Sequence, residues 1–357
     1  LTSQKVLLNP GTLYYWRVVA VPACGSAAAV SSTTFNFTTA DASVKLTSIT
    51  PSFINRWTGG ALSYLGMGFS ASTSPFTDRQ GISAGPFTTT FFQPSRIDGM
   101  LGANTLAPAG RYDAGISDSG SEQARLVQAL ALRAFTDVTE NDYYFLSTAQ
   151  VADAGIMESD YDGAADGPQF SPSAPVLRKD MAEYMAKAYQ WWRTGSTALP
   201  AATCTASGAG STDFPDVPCS HTNWLAIHWI KTWGVTTGSP CAQGLCFLPD
   251  NGVDRAQMVT FLERLRQGSL LGTLLTTVGA IDPGCSQPYP ACSGWTDAVL
   301  KTAEWPRREV NVAFADRLTS GCAGTPGNGL TMCALDPVTR GQIAEFLGRT
   351  IGLVLTP

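Results

Sequence analysis

One helix start is written three times in this chain, and that recurrence limits what the chain can fold into more than any other feature. The copies are Val176-Leu177-Arg178-Lys179-Asp180-Met181, Val253-Asp254-Arg255-Ala256-Gln257-Met258 and Val338-Thr339-Arg340-Gly341-Gln342-Ile343. Each follows a Pro or Gly (Pro175, Gly252, Pro337) and opens an apolar run at helical spacing. The runs are Met181, Tyr184, Met185 and Ala188; Met258, Phe261, Leu262 and Leu265; and Ile343, Phe346 and Leu347, with Thr350 a weaker fourth member. One such unit cannot bury its apolar face alone, so the copies need one another to make a core.

The starts are chemically sensible. Asp254 and Thr339 stand at N-cap positions with Gln257 and Gln342 three residues on, the spacing of a reciprocal capping box that satisfies first-turn amides. Leu177 holds that place in the first copy, so its helix must find a cap elsewhere.

Upstream segments recur in the same order. Phe135-Thr136-Asp137-Val138, Phe214-Pro215-Asp216-Val217 and the shorter Trp295-Thr296-Asp297 open the three copies. Ala154-Gly155-Ile156, Trp233-Gly234-Val235 and Asp316-Arg317-Leu318 close a first helix, and Phe170-Ser171-Pro172 and Phe247-Leu248-Pro249 form a loop before the second. Together these motifs resemble the S-layer homology family, over roughly the last three fifths of the chain. The resemblance implies an α-helical three-repeat bundle, with repeats at 136–198, 199–270 and 271–357. In the second repeat, Trp224, Ile227, Ile230 and Trp233 give one apolar face to a first helix that ends at Gly234, a suitable residue after a C-cap.

In that family the matching arginines lie in grooves between repeats and bind cell-wall polysaccharide, often through the carboxylate of a pyruvylated sugar. Carried over, this makes Arg178, Arg255 and Arg340 ligand-binding candidates, with Asp180, Gln257 and Gln342 beside them. An arginine in a first helical turn also sets a guanidinium fork beside amides that favour an anion. The competing reading pairs each arginine with Asp137, Asp216 or Asp297, locking repeat to repeat. Among the tryptophans, Trp191, Trp192, Trp224 and Trp233 read mainly as core by their helical spacing. Trp229, off the shared face, is the member expected to be exposed and to stack on a sugar.

The nine cysteines bear on the compartment. Cys204 and Cys219, Cys241 and Cys246, Cys285 and Cys292, and Cys322 and Cys333 fall in order at equivalent places in the second and third repeats, so four local disulfides and an extracellular location are expected. Zinc is the competing use, but no Cys-x-x-Cys occurs and the only histidines, His221 and His228, share one repeat. Cys24 is left over, for a partner outside the sequence, a second molecule or a buried thiol. In the first repeat, Asp160-Tyr161-Asp162-Gly163-Ala164-Ala165-Asp166-Gly167 stands where the others carry cysteines. Calcium suits that oxygen set, but EF-hand spacing is missing and a solvated turn is the preferred reading.

The N-terminal part reads as all-β, immunoglobulin-like modules. Thr12 to Ala20 alternates with aromatic and β-branched residues, and a second strand runs from Ser31 to Thr39. Pro10-Gly11-Thr12-Leu13-Tyr14-Tyr15-Trp16 with the Phe35-Asn36-Phe37-Thr38-Thr39 ending resembles the last two strands of a fibronectin type III domain, within 1–40. Such a sandwich needs about 100 residues, so this piece is expected either to be the tail of a longer domain or to be completed by a neighbouring molecule. Asn36-Phe37-Thr38 is a formal glycosylation sequon. Residues 41–135 resemble the immunoglobulin-like IPT/TIG family, through Ile49-Thr50-Pro51, Gly59-Gly60 and Gly66-Met67-Gly68-Phe69. Glu122 to Leu132 has a composition that also supports a helix.

Composition excludes some partners. A formal charge of -5 with no run of Lys and Arg argues against nucleic acid. The stretch Leu270 to Ile281 is about a dozen apolar-leaning residues, short of the ~20 needed for a transmembrane helix. No phosphate-binding Gly loop, nucleophile elbow or metalloprotease helix occurs, which favours a non-enzyme without cofactor. The reading is of a bacterial cell-surface protein: β-sandwich stalk, helical repeats holding the cell-wall polysaccharide, self-association. Two alternatives are a self-assembling subunit of a filament or lattice, and the anchor of an enzyme whose catalytic domain lies upstream.

Overall fold

A computed structural model describes residues 13–20, 30–38, 44–159, 167–270, 297, 300, 309–310, 313, 318–325 and 328–352. Cys24, Cys285, Cys292, Trp295, Asp316, Arg317 and the acidic loop from Asp160 to Asp166 lie outside the described residues. The chain divides into two compact units, one of Leu1–Ala107 with Arg111–Leu132, the other of Pro108–Gly110 with Arg133–Pro357.

In the first unit, β1 (Leu13–Trp16) pairs antiparallel with β4 (Phe35–Thr38), stacking Trp16 on Phe35 at 4.9 Å, while β2 (Val19–Ala20) pairs with β3 (Val30–Ser31). Each expected long strand is thus broken in two. At the break the Ser32 hydroxyl accepts the Val18 amide at 2.9 Å, replacing a ladder bond with a side-chain one.

The remaining strands form two sheets. The first, in the order β10-β11-β7-β5, is made of β5 (Lys45–Thr50), β7 (Gly60–Met67), β10 (Phe87–Gln93) and β11 (Arg96–Leu101). The second, in the order β6-β13-β12-β8-β9, is made of β6 (Phe53–Asn55), β8 (Thr73–Arg79), β9 (Ile82–Ser83), β12 (Gly110–Asp118) and β13 (Ser121–Arg133). Period-two alternation sends Leu62, Tyr64, Ile97 and Leu101 from one sheet, and Tyr112, Ala114, Ile116 and Leu130 from the other, into one buried cluster. The segment with helical composition, Glu122 to Leu132, is strand. Its partner β12 captures it through Arg125, which bonds Asp113 at 2.9 Å and Asp78 of β8 at 2.6 Å, and tertiary pairing overrides local preference.

The second unit holds the repeated motifs. Among the described residues it has helices α1 (Phe145–Asp153), α2 (Arg178–Thr194), α3 (Trp224–Thr232), α4 (Arg255–Leu270) and α5 (Arg340–Thr350), and Leu300, Val310 and Ala313 are also helical and buried against Ala256 and Val259 of α4. Three extended residues just before α2, α4 and α5 close a ring. The Val176 amide donates to Val338 O at 2.9 Å, Val338 to Val253 O at 2.8 Å, and Val253 to Val176 O at 3.1 Å. All three valines are buried, so each backbone donor finds its partner in another copy of the motif.

The helix ends follow their sequences. Thr339 completes a capping box with Gln342. Asp254 differs: it accepts both the Gln257 amide (2.8 Å) and the Gln257 side-chain Nε2 (2.7 Å), so glutamine serves the carboxylate rather than the backbone. Leu177 contributes no side-chain bond, and Asp180 accepts its amide instead. Gly155, Gly195 and Gly234 take φ values of 70°, 73° and 72° after their helices, where a side chain would be strained. Disulfides join Cys204 to Cys219, Cys241 to Cys246 and Cys322 to Cys333, with Cα separations of 5.7, 5.8 and 6.0 Å.

Candidate functional site

The opening aspartates and the motif arginines meet on the same three loops. Asp137 accepts the amides of Phe170 and Ser171, Asp216 those of Phe247 and Leu248, and Asp297 those of Met332 and Ala334, all at 2.7–2.8 Å. Each bond stays within one repeat and fixes the loop before its second helix. The arginine of another copy then takes a carbonyl of that loop. Arg178 Nε donates to Phe247 O at 2.6 Å, Arg255 Nε to Met332 O at 2.9 Å, and Arg340 Nε to Phe170 O at 2.8 Å. The guanidinium and the carboxylate therefore grip opposite polar groups of one loop, instead of forming the direct ion pair considered from sequence.

The first-turn amides expected to draw an anion are spent. Those of Arg178 and Lys179 bond Asn251 O and Pro249 O, those of Arg255 and Ala256 bond Asp336 O and Ala334 O, and those of Arg340 and Gly341 bond Ala174 O and Pro172 O. Any anion held here must be held by side chains.

Two grooves offer them. One, of 420 Å³, is lined by Arg255 of α4, the turn Thr319-Ser320-Gly321, Gln342, Phe346 and Arg349 of α5, and Tyr143. The other, of 320 Å³, is lined by Arg178 of α2, the turn Thr236-Thr237-Gly238, and Gln257, Phe261 and Arg264 of α4. The same residue types recur at the same register, so these are two editions of one site. Two short antiparallel hairpins closed by disulfides contribute walls: Ser239 and Pro240 of the pair Ser239–Cys241 with Gly244–Cys246 in one groove, and Cys322, at the start of the pair Ala323–Thr325 with Asn328–Thr331, in the other.

Burial makes the key arginines rigid. Arg178 is 4% exposed and Arg255 7%, and burial lowers the pKa of both, opposed at Arg178 by Asp216 and Asp254 and at Arg255 by Tyr143, Asp336 and Asp297. Aromatic rings support the guanidinium planes, Phe247 at 5.0 Å from Arg178 and Phe346 at 5.7 Å from Arg255. Arg178 gives Nη1 to Gln257 at 3.0 Å. Among the described residues, both terminal nitrogens of Arg255 make no protein hydrogen bond, and they belong to a side chain that lines the larger groove. Burial pushes the phenol of Tyr143 up in pKa against the opposing charge of Arg255, so it remains a neutral donor at the groove edge.

Arg340 is placed differently: Nε, Nη1 and Nη2 bond Phe170 O, the Tyr184 hydroxyl at 2.6 Å and Glu158 O at 2.6 Å. Gln257 and Gln342 line the two grooves, whereas Asp180 sits with Arg340 in the third position, where burial raises its pKa. Trp229 lines neither groove. It is half-buried, donates Nε1 to Pro200 O at 2.9 Å and stacks on Trp233 at 5.5 Å, while Trp192 is the exposed member at 42%. Trp229 leaves the helix's core face, which in sequence reads as an open ring, and its bond to Pro200, in a stretch without helical period, has no local signature.

Arg264, Arg349, Tyr143 and the two turns were not singled out from sequence. The available signal was register: the ninth residue after each motif arginine is Lys187, Arg264 and Arg349, a cation in every copy. Among the described residues no group of three or more His, Cys, Asp or Glu could hold a metal ion, and the acidic loop proposed for calcium lies outside them. No described helix is long and apolar enough to cross a membrane. No protein-family model matches the chain, and no curated protein matches it.

Proposed function

We propose that the second unit is a non-catalytic, extracellular anchor of S-layer homology type, which holds an anionic cell-wall polysaccharide in the grooves at Arg178 and Arg255, with the β-rich first unit as a stalk. The observation that carries this reading is the pair of terminal Arg255 nitrogens, unclaimed among the described residues, on a side chain that lines a groove of 420 Å³ beside Gln342, Tyr143 and Arg349, the last paired with Glu345. A buried guanidinium whose spare donors open on a cleft is arranged for a planar oxyanion such as a carboxylate. The flanking Phe346, Tyr143 and short polar turn suit the apolar faces and hydroxyls of a sugar ring. Three disulfides suit an oxidising compartment.

The test is co-sedimentation with purified cell walls. Wild-type protein is expected in the pellet, and the double variant Arg264→Gln, Arg349→Gln, which leaves the Nε anchors intact, is expected in the supernatant. Equal pelleting of both contradicts the reading. Self-assembly is a second reading, supported by the open aromatic side chains of the short hairpin, Tyr15 at 65% and Trp16 at 48% exposure. Light scattering that shows only monomer across a wide concentration range speaks against it.

A further inference from the structure

The two grooves have a third counterpart, and its chemistry is inverted. Equivalence rests on hydrogen bonding: the amides of Ile156 and Met157 share Val151 O, as those of Val235 and Thr236 share Ile230 O and those of Leu318 and Thr319 share Ala313 O. Glu158 therefore stands where the open grooves have Thr237 and Ser320. Counting from the motif arginines, Asp180 replaces Gln257 and Gln342, Tyr184 replaces Phe261 and Phe346, and Lys187 replaces Arg264 and Arg349.

These exchanges change both the charge and the availability of donors. The Arg178 groove is lined by two arginines, of which Arg264 has Glu309 at 3.7 Å. The Arg255 groove has two arginines and Glu345, which bonds Arg349 at 2.7 Å. In the third position, Arg340 and Lys187 face Asp180, Glu183 and Glu158, with Lys187 bonded to Glu183 at 2.7 Å and Glu158 at 3.3 Å. Every nitrogen of the Arg340 guanidinium has a protein acceptor, one of them the Tyr184 hydroxyl that phenylalanine cannot supply elsewhere.

Resting on the anionic-glycan reading above, we infer that the unit is bivalent. The Arg178 and Arg255 grooves each take a carboxylate-bearing sugar, and the Arg340 position is sealed against anions by the chain's own carboxylates. Like charges a few ångströms apart at a half-buried surface outweigh the gain from any contact a ligand could add there.

The experiment grafts the seal onto the open grooves. Thr237 and Ser320 are exposed, so Thr237→Glu and Ser320→Glu spare the fold, and circular dichroism and melting check this. The full chain is titrated calorimetrically with a methyl hexopyranoside that carries a 4,6-pyruvate ketal. Wild type is expected to show two sites, with each single variant losing roughly ten-fold or more in affinity at one of them and the double variant binding at neither. A third site, or a site that persists in the double variant, overturns the inference and leaves the anionic-glycan reading standing. Absence of binding by the wild type overturns that reading and this inference together.

Discussion

Replacing Arg178 separates two jobs that one side chain performs. Its Nε ties α2 to the loop of the next repeat through Phe247 O, and its remaining face lines a groove. Arg178→Met keeps the stem but leaves that carbonyl without its donor, so we predict a stability loss of about 1–3 kcal/mol, read as a lower urea midpoint with unchanged slope. Arg264 lines the groove and makes only a long bond to Val235 O (3.4 Å) and a loose ion pair with Glu309 (3.7 Å), so Arg264→Gln is expected to cost less than Arg178→Met, about 1 kcal/mol or below.

Asp254 gives a prediction in pH. Burial raises its pKa above the unfolded value, against the opposing bonds from Gln257 and the charge of Arg178. The folded state thus binds its proton more readily than the unfolded state, and this residue's contribution improves as pH falls from neutrality through its folded pKa. Asp254→Asn keeps the cap and removes the titration. The difference in melting temperature between variant and wild type should shift in favour of wild type on acidification. A pH-independent difference contradicts this assignment.

At the scale of elements, capping and cross-links decide how firmly the groove walls are held. Thr339→Ala removes the hydroxyl of the α5 capping box and should cost about 1 kcal/mol. The Cys241–Cys246 bridge lies next to Phe247, whose carbonyl anchors Arg178, and its hairpin supplies Ser239 and Pro240 to that groove. Replacing both cysteines by serine should lower the stability by ~2 kcal/mol at most, since the closed loop is short. Affinity at the Arg178 groove should fall, and the Arg255 groove should be unaffected.

Much of this was legible in the chain. The three helix starts, the cap at Thr339, the weak cap at Leu177 and three cysteine pairs follow from spacing alone, because each is a local pattern. What was not legible depends on contacts between copies. The amides thought to await an anion are taken by carbonyls of another repeat, and a contact made across the ring leaves no local signature. The same holds for Trp229, bonded to Pro200 of an irregular segment, and for the stretch from Glu122 to Leu132, whose strand partners decide against its helical composition.

At the scale of the whole molecule, the function proposed for the second unit would rest on ring closure. Each groove needs an arginine from one copy and a turn and helix from the next, so no copy can make a site alone. The three valine bonds are the ring's backbone links, and Val253→Pro deletes one donor from it. Native-state hydrogen exchange should then show protection lost at Val176 and Val338 together, because the copies share one cooperative core. Loss confined to the neighbourhood of residue 253 would mean that the copies fold independently.

The account turns on recognition of sugar-borne carboxylates by the second unit. The most direct measurement is binding of the protein to purified cell-wall polysaccharide before and after mild acid removes its pyruvate ketals. Binding before and its loss after treatment is the predicted result. Equal binding to both preparations, or binding to neither, contradicts the account.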